Sequence, residues 1–200
     1  MPAKIIQPQP KPFISVPVDS VTLDIIDTGL RNTLDEMDAE LIRSAMSPSI
    51  REQHDQYSMI ATAEGKLVAG HLGSMVPEFL EDFEGTIEEG DVFLTNDPFA
   101  CHGAISHLND WLVLYPVFKE GRLIAWTAMF GHMTDVGGKI AGSLPNDARE
   151  IYQEGIRIPF TKIYKAGELQ EDYLELILHN CRSPRWNRSD LHALVASCRR

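Results

Sequence analysis

Hydrophobic positions recur along this chain with two different periods, and the change from one to the other outlines the fold. From Ser20 the residues Leu23, Ile26, Leu30, Leu34, Met37, Leu41 and Ala45 follow one another at steps of three and four, which places them on one face of a long helix. Asp19 or Ser20 is suited to cap its start, and Ser47-Pro48 ends it, because proline disfavours the helical conformation in the residue before it. The pattern then becomes β-like. Residues 57–63 and 67–71 flank Glu64-Gly65-Lys66, a compact turn, and predict a hairpin. Residues 76–84 predict a short helix and 91–94 a strand, followed by the turn-former Asn96-Asp97-Pro98.

Two longer β-rich runs, 111–118 and 123–130, are separated only by Lys119-Glu120-Gly121-Arg122 and predict a long antiparallel hairpin. Beyond it, 137–150 reads as a Gly/Pro/Asn loop, 151–165 as an irregular, partly extended stretch, and 172–179 as a helix. The expected fold is α+β, with the long N-terminal helix packed on mainly antiparallel hairpins. Residues 1–18, which hold Pro2, Pro8, Pro10, Pro12 and Pro17, are expected to form an extended arm, and 19–200 a single domain. In the last segment Leu191, Leu194, Val195 and Cys198 form a helical stripe among five arginines. Such a stripe folds back on the domain, docks on a partner or marks the front piece of a longer chain; read as exposed, it predicts self-association or a required partner chain, with this C-terminal helix at the contact.

Composition narrows the function. Of 200 residues 44% are hydrophobic and 24% charged, which is a globular composition. Eighteen basic against 29 acidic side chains give a net charge of -11, which argues against nucleic-acid and anionic-membrane partners. No apolar run approaches the ~18 residues needed to span a bilayer. The first residues lack the pattern of a secretory signal, and Cys101, Cys181 and Cys198 have no CxxC spacing, so reduced thiols in a cytoplasmic protein are expected.

The candidate chemistry lies at the ends of the long hairpin. His107-x-x-Asp110 precedes it and His132-x-x-Asp135 follows it. If Lys119 faces Arg122, continued pairing sets Asn109 opposite His132 and Ser106 opposite Asp135, so both motifs gather at the open end of one ribbon. Two imidazoles and two carboxylates there suit a divalent cation, manganese, zinc or iron. The bland alternative is that the aspartates only cap turns. Cys101-His102 reads better as a structural thiol than as a nucleophile with its base. Gly137-Gly138-Lys139 lacks the spacing of a phosphate-binding loop, and no other nucleotide motif is present. His71 and Glu154 are candidates for contact with a substrate.

Several of these segments carry a family likeness. Ser47-Pro48 through His54-Asp55, Glu64 to Leu67, His71-Leu-Gly-Ser-Met75, Asn96-Asp97-Pro98, Gly103 to Asp110, Asp135-Val-Gly-Gly138, Gly142-Ser143 and Glu154-Gly-Ile-Arg-Ile-Pro159 resemble, in order and spacing, the opening of the hydantoinase B/5-oxoprolinase family. The resemblance implies a metal-containing part of an ATP-dependent enzyme that opens cyclic amides. The near alternative it implies is the equivalent part of the related acetone and acetophenone carboxylases. ATP is then expected on a hydantoinase A-like partner subunit and not on this chain. Carried over by position, the metal histidines match His107 and His132, with Asp110 and Asp135 as acidic neighbours that serve the metal and the catalysis. Two departures stand out: Ser106 precedes His107 where the family commonly has threonine, and Met133 follows His132 where a second histidine is usual. Family members are also usually much longer. A third reading, a truncated docking module that does no chemistry, remains open on the sequence.

Overall fold

The computed structural model describes residues 16–70 and 72–200; most of the expected N-terminal arm and His71 lie outside the described residues. The long helix α1 (Ser20–Ser44) starts where the sequence places it, with the Asp19 carboxylate accepting the Thr22 N–H at 2.9 Å. After the single turn α2 (Pro48–Arg51), the expected hairpin appears as β1 (Gln56–Thr62) and β2 (Leu67–Ala69). The short helix α3 (Val76–Asp82), the strand β3 (Val92–Thr95) and the long hairpin β4 (Asp110–Lys119) and β5 (Arg122–His132) follow in the order read from the sequence. The segment expected to be irregular and partly extended ends in the strand β6 (Thr161–Lys165), which forms a further hairpin with β7 (Glu168–Leu169). Two helices close the chain, α4 (Glu171–Leu178) and α5 (Pro184–Cys198).

All described strands join one antiparallel sheet in the order β2-β1-β5-β4-β3-β6-β7. Side chains alternate across it. Trp111, Val113 and Met129 point to one face, where they meet Met37 and Leu41 of α1 and Leu191 and Leu194 of α5. Leu112, Leu114, Trp126 and Ala128 point to the other, where α3 contributes Phe79 to an aromatic group with Phe93 and Phe160. By the same alternation Asp110 and His132 end the α3 face of β4 and β5.

Two expectations are corrected here. The stripe of α5 is core: Leu191 and Leu194 are wholly buried, and Val195 and Cys198 nearly so. Helix α5 lies against α1, β4 and β5, so its apolar face is used within the domain and is not an exposed surface for a second copy. Conversely, the stripe that begins in α1 is buried only from Leu34 onward, over Leu34, Met37, Leu41 and Ala45, while Leu23 and Ile26 at its start are exposed. The sequence period shows which residues share a face; it does not show how far the sheet extends beneath it.

The buried α5 stripe makes a direct prediction. Leu194→Ala should lower the unfolding free energy by about 2–5 kcal/mol in denaturant titration, because a cavity opens between α5 and the sheet. An unchanged midpoint would mean that α5 is not part of the core.

Candidate functional site

The turn of the long hairpin falls where the sequence places it, with Lys119 facing Arg122, but the pairing then slips by one residue. A bulge between Val117 and Phe118 leaves Ile124 without an opposite number, and from Val117 onward the register is displaced. As a result Asp110, and not Asn109, sits opposite His132. Their side chains meet, with Nδ1 of His132 2.8 Å from the Asp110 carboxylate.

A third group joins them from the neighbouring strand. β1 pairs with β5 so that Gln56 faces Gly131, and the preceding residue, Asp55, accepts the His132 backbone N–H at 3.0 Å. The Asp55 carboxylate lies 3.6 Å from His132 Nδ1. Asp55, His132 and Asp110 thus form a row across the ends of three adjacent strands. His107, on the loop leading into β4, stands beside the row with its ring centroid 6.4 Å from that of His132. No local spacing marks Asp55, because its place depends on the β1–β5 pairing, which joins segments some seventy residues apart.

These residues open into a cleft of about 680 Å³, lined also by Pro48, Ser49, Leu72, Phe130 and Thr134. His107 and Asp55 are exposed, whereas Asp110 is 8% exposed. The loop before β4 is held by buried Asn96, whose amide donates to the carbonyls of Leu108 (2.6 Å) and Ile156 (2.9 Å) and whose oxygen accepts the Ile158 N–H (2.6 Å). Among the described residues no three His, Cys, Asp or Glu side chains already stand as a ready-made set of ion ligands. The spacings about His132 fall just outside those of atoms that share an ion, so small side-chain shifts would bring the donors into range. Ligand atoms about 2.1 Å from a shared ion lie roughly 3.0–3.4 Å from one another, and 2.8 and 3.6 Å bracket that range.

The structure does not bring Asp135 into this group. Its buried carboxylate accepts the N–H groups of Gly137 (2.8 Å), Gly142 (2.9 Å) and Arg182 (3.1 Å), and it pairs with the Arg182 guanidinium at 3.1 Å. The ladder ends at the Asp110–His132 pair, and Asp135 lies in the loop beyond it. Burial is the largest single influence on Asp135 and acts to raise its pKa. The N–H donors and the guanidinium together outweigh it and hold the carboxyl below its usual 3.8. Glu154 is likewise a support. It sits behind the His107 loop, accepting the Leu108 N–H at 3.4 Å, and does not line the cleft. His71 lies outside the described residues, although its neighbour Leu72 lines the cleft. Cys101 is buried, and desolvation, reinforced by Asp97, Glu78 and Asp82, pushes its thiol up to about 12, so it is no thiolate nucleophile at neutral pH. Gly137 and Gly138, at φ +92° and +77°, pack against the backbone of residues 153–155 and 180 and form no phosphate cradle.

A mixed α+β domain with imidazoles and carboxylates at one end of its sheet is the class of protein defined so far. Comparison with known proteins makes the family specific: residues 19–200 match the Hydantoinase B/oxoprolinase family, and the chain belongs to it. It is 35% identical over 190 residues to caprolactamase subunit beta of Pseudomonas jessenii, covering 90% of this chain and 32% of that one. It is 31% identical over 193 residues to 5-oxoprolinase of Dictyostelium discoideum, covering 92% of this chain and 15% of that protein. The crystal structure of ATP-dependent caprolactamase from Pseudomonas jessenii superposes with a TM-score of 0.79 at 31% identity, over 92% of this chain and 33% of that one. A nucleotide-free acetone carboxylase structure shares the fold at a TM-score of 0.77 and 19% identity, over 88% of this chain and 24% of that one. The chain therefore spans a third or less of the length of these relatives.

The placement of Asp135 sets a pH dependence. A carboxyl whose pKa is depressed by folding adds stability that is present above its unfolded value, near 3.8, and lost as pH falls through the folded value. Asp135→Asn should cost about 1–3 kcal/mol at neutral pH, the range for a hydrogen-bonded charged group, and should flatten the loss of stability below pH ~4. Acid unfolding curves that remain parallel would contradict the assigned network.

Proposed function

We propose that this chain is the metal-bearing part of an ATP-dependent enzyme that hydrolyses cyclic amides, working with a hydantoinase A-like subunit that binds ATP. The observation that carries the reading is the row Asp55–His132–Asp110 with His107 across the same cleft. The chain also belongs to a family whose members at 30% identity or more include a caprolactamase subunit and a 5-oxoprolinase. Imidazole and carboxylate donors suit manganese, zinc or iron. Asp55, His107, Asp110 and His132 would hold the ion, and when bound it would polarise a carbonyl or lower the pKa of a water.

The chain's own residues then have distinct tasks. Asp110 orients the His132 ring through Nδ1. Exposed Asp55 and His107 can turn toward a ligand without disturbing the core. Asn96 and Glu154 steady the loop that presents His107. The hydrolase reading is preferred to the ketone carboxylase reading because the likeness to acetone carboxylase, at 19% identity, concerns the fold alone. The docking-module reading loses its main support with the burial of the α5 stripe.

Metal content is the test. The purified chain should hold close to one divalent cation. His107→Ala, His132→Ala and Asp55→Ala should each remove most of it, and Asp135→Asn should not. Elemental analysis showing the same content in a His107→Ala/His132→Ala variant would refute the assignment. The isolated chain should also fail to bind ATP at low-micromolar concentration in calorimetry, since no phosphate-cradling loop stands among its described residues; tight binding would reveal a nucleotide site on this chain.

A further inference from the structure

Behind the cleft a line of hydrogen bonds runs from a buried carboxylate to a hydroxyl in the cleft wall. Asp190, on α5, is wholly buried and accepts the backbone N–H groups of Met46 (2.5 Å) and Ser47 (3.2 Å) and also the Ser47 hydroxyl. Ser47 is itself wholly buried, and its Oγ lies 2.9 Å from the Oγ1 of Thr134. Thr134 is half-buried and lines the cleft, two residues along the chain from His132. The strand end is tied to the same junction a second time, where the Ser49 hydroxyl donates to the His132 carbonyl at 2.6 Å.

The chemistry of these groups decides the direction of every proton in the line. A carboxylate can only accept, and a hydroxyl has one proton to give. Ser47 gives its proton to Asp190, so toward Thr134 its oxygen can only accept. Thr134 therefore gives its proton to Ser47 and turns only lone pairs toward the cleft. A ligand group that meets Thr134 must be a donor.

We propose that Thr134 is a substrate-binding residue that accepts the ring N–H of a cyclic amide, and that Ser47 and Asp190 are positioning residues that dictate its polarity. This rests on the cyclic-amide reading above and names the part of the substrate that the cleft recognises. In a small lactam the amide is held cis, so its N–H and carbonyl leave the ring along one edge. With the N–H on Thr134, that edge runs along the wall that also carries His132. A simple ketone offers no donor at this position, so the line of protons favours amide over ketone.

The test is a titration of the full chain with δ-valerolactam and with its N-methyl derivative, followed by ligand-observed NMR. The wild-type chain should prefer the N–H lactam by roughly five- to tenfold, the effect of one neutral hydrogen bond. Thr134→Val keeps the shape, removes the acceptor and should bring the ratio close to one, while Thr134→Ser should preserve it. Asp190→Asn can donate to Ser47 and so reverse the line; it too should lose the preference. The cleft-wall variants Thr134→Val and Thr134→Ser alone decide the matter where Asp190→Asn does not fold. Binding of both lactams by the wild type without preference, or a preference that survives in Thr134→Val, would overturn the role of Thr134 and leave the cyclic-amide reading standing. Binding of neither lactam would overturn the cyclic-amide reading itself.

Discussion

The site depends on how β4 and β5 are paired at the end away from their turn. Because side chains alternate along a strand, a slip of one residue exchanges the two faces of everything beyond it. The bulge beside Val117 makes such a slip near the turn, and its effect is felt seven residue pairs away, where Asp110 comes opposite His132. The pairing of β1 with β5 then lays Asp55 beside the same histidine. The bulge thus decides which residue of β4 faces the imidazole, and the β1–β5 pairing adds Asp55.

Much of the fold was legible because it is local. The cap at Asp19, the break at Ser47-Pro48, the turn around Gly65 and the turn between Lys119 and Arg122 are short-range signals, and each appears where the residues place it. The hairpin of β6 and β7 was passed over, although Thr161–Lys165 alternates and Ala166-Gly167 supplies the two positive-φ residues of a tight turn. Its short second strand left little apolar pattern to read. The α5 stripe was read correctly as a helical face and wrongly as an exposed one. Exposure is a tertiary property, and nothing within fifteen residues reveals that α1 and two strands lie over them. The site was half legible for the same reason: His107, Asp110 and His132 belong to matched motifs, whereas Asp55 is recruited across the sheet.

Around the cleft, irregular backbone is held by buried polar side chains that each serve several groups. Asn96 joins the loop before β4 to the segment before β6, Asp135 and Arg182 close the loop after β5, and Asp190 clasps the junction between α1 and α2. Such groups contribute little net stability when fully paired and are costly when half paired. Their concentration here is consistent with a rim whose shape matters, since apolar packing alone does not fix the direction of a hydroxyl or the turn of an imidazole ring. Farther along the same face of the sheet, Phe79, Phe93 and Trp126 pack ring against ring.

In the proposed function the strand ends of β1, β5 and β4 converge on one ion position. This convergence is tested most directly by anomalous diffraction from crystals of the chain equilibrated with manganese. The account predicts a single strong peak within bonding distance of the side chains of His132 and Asp110, with Asp55 and His107 completing the set. A peak beside Asp135 and Arg182 instead, or none at the sheet end under saturating manganese, would contradict it.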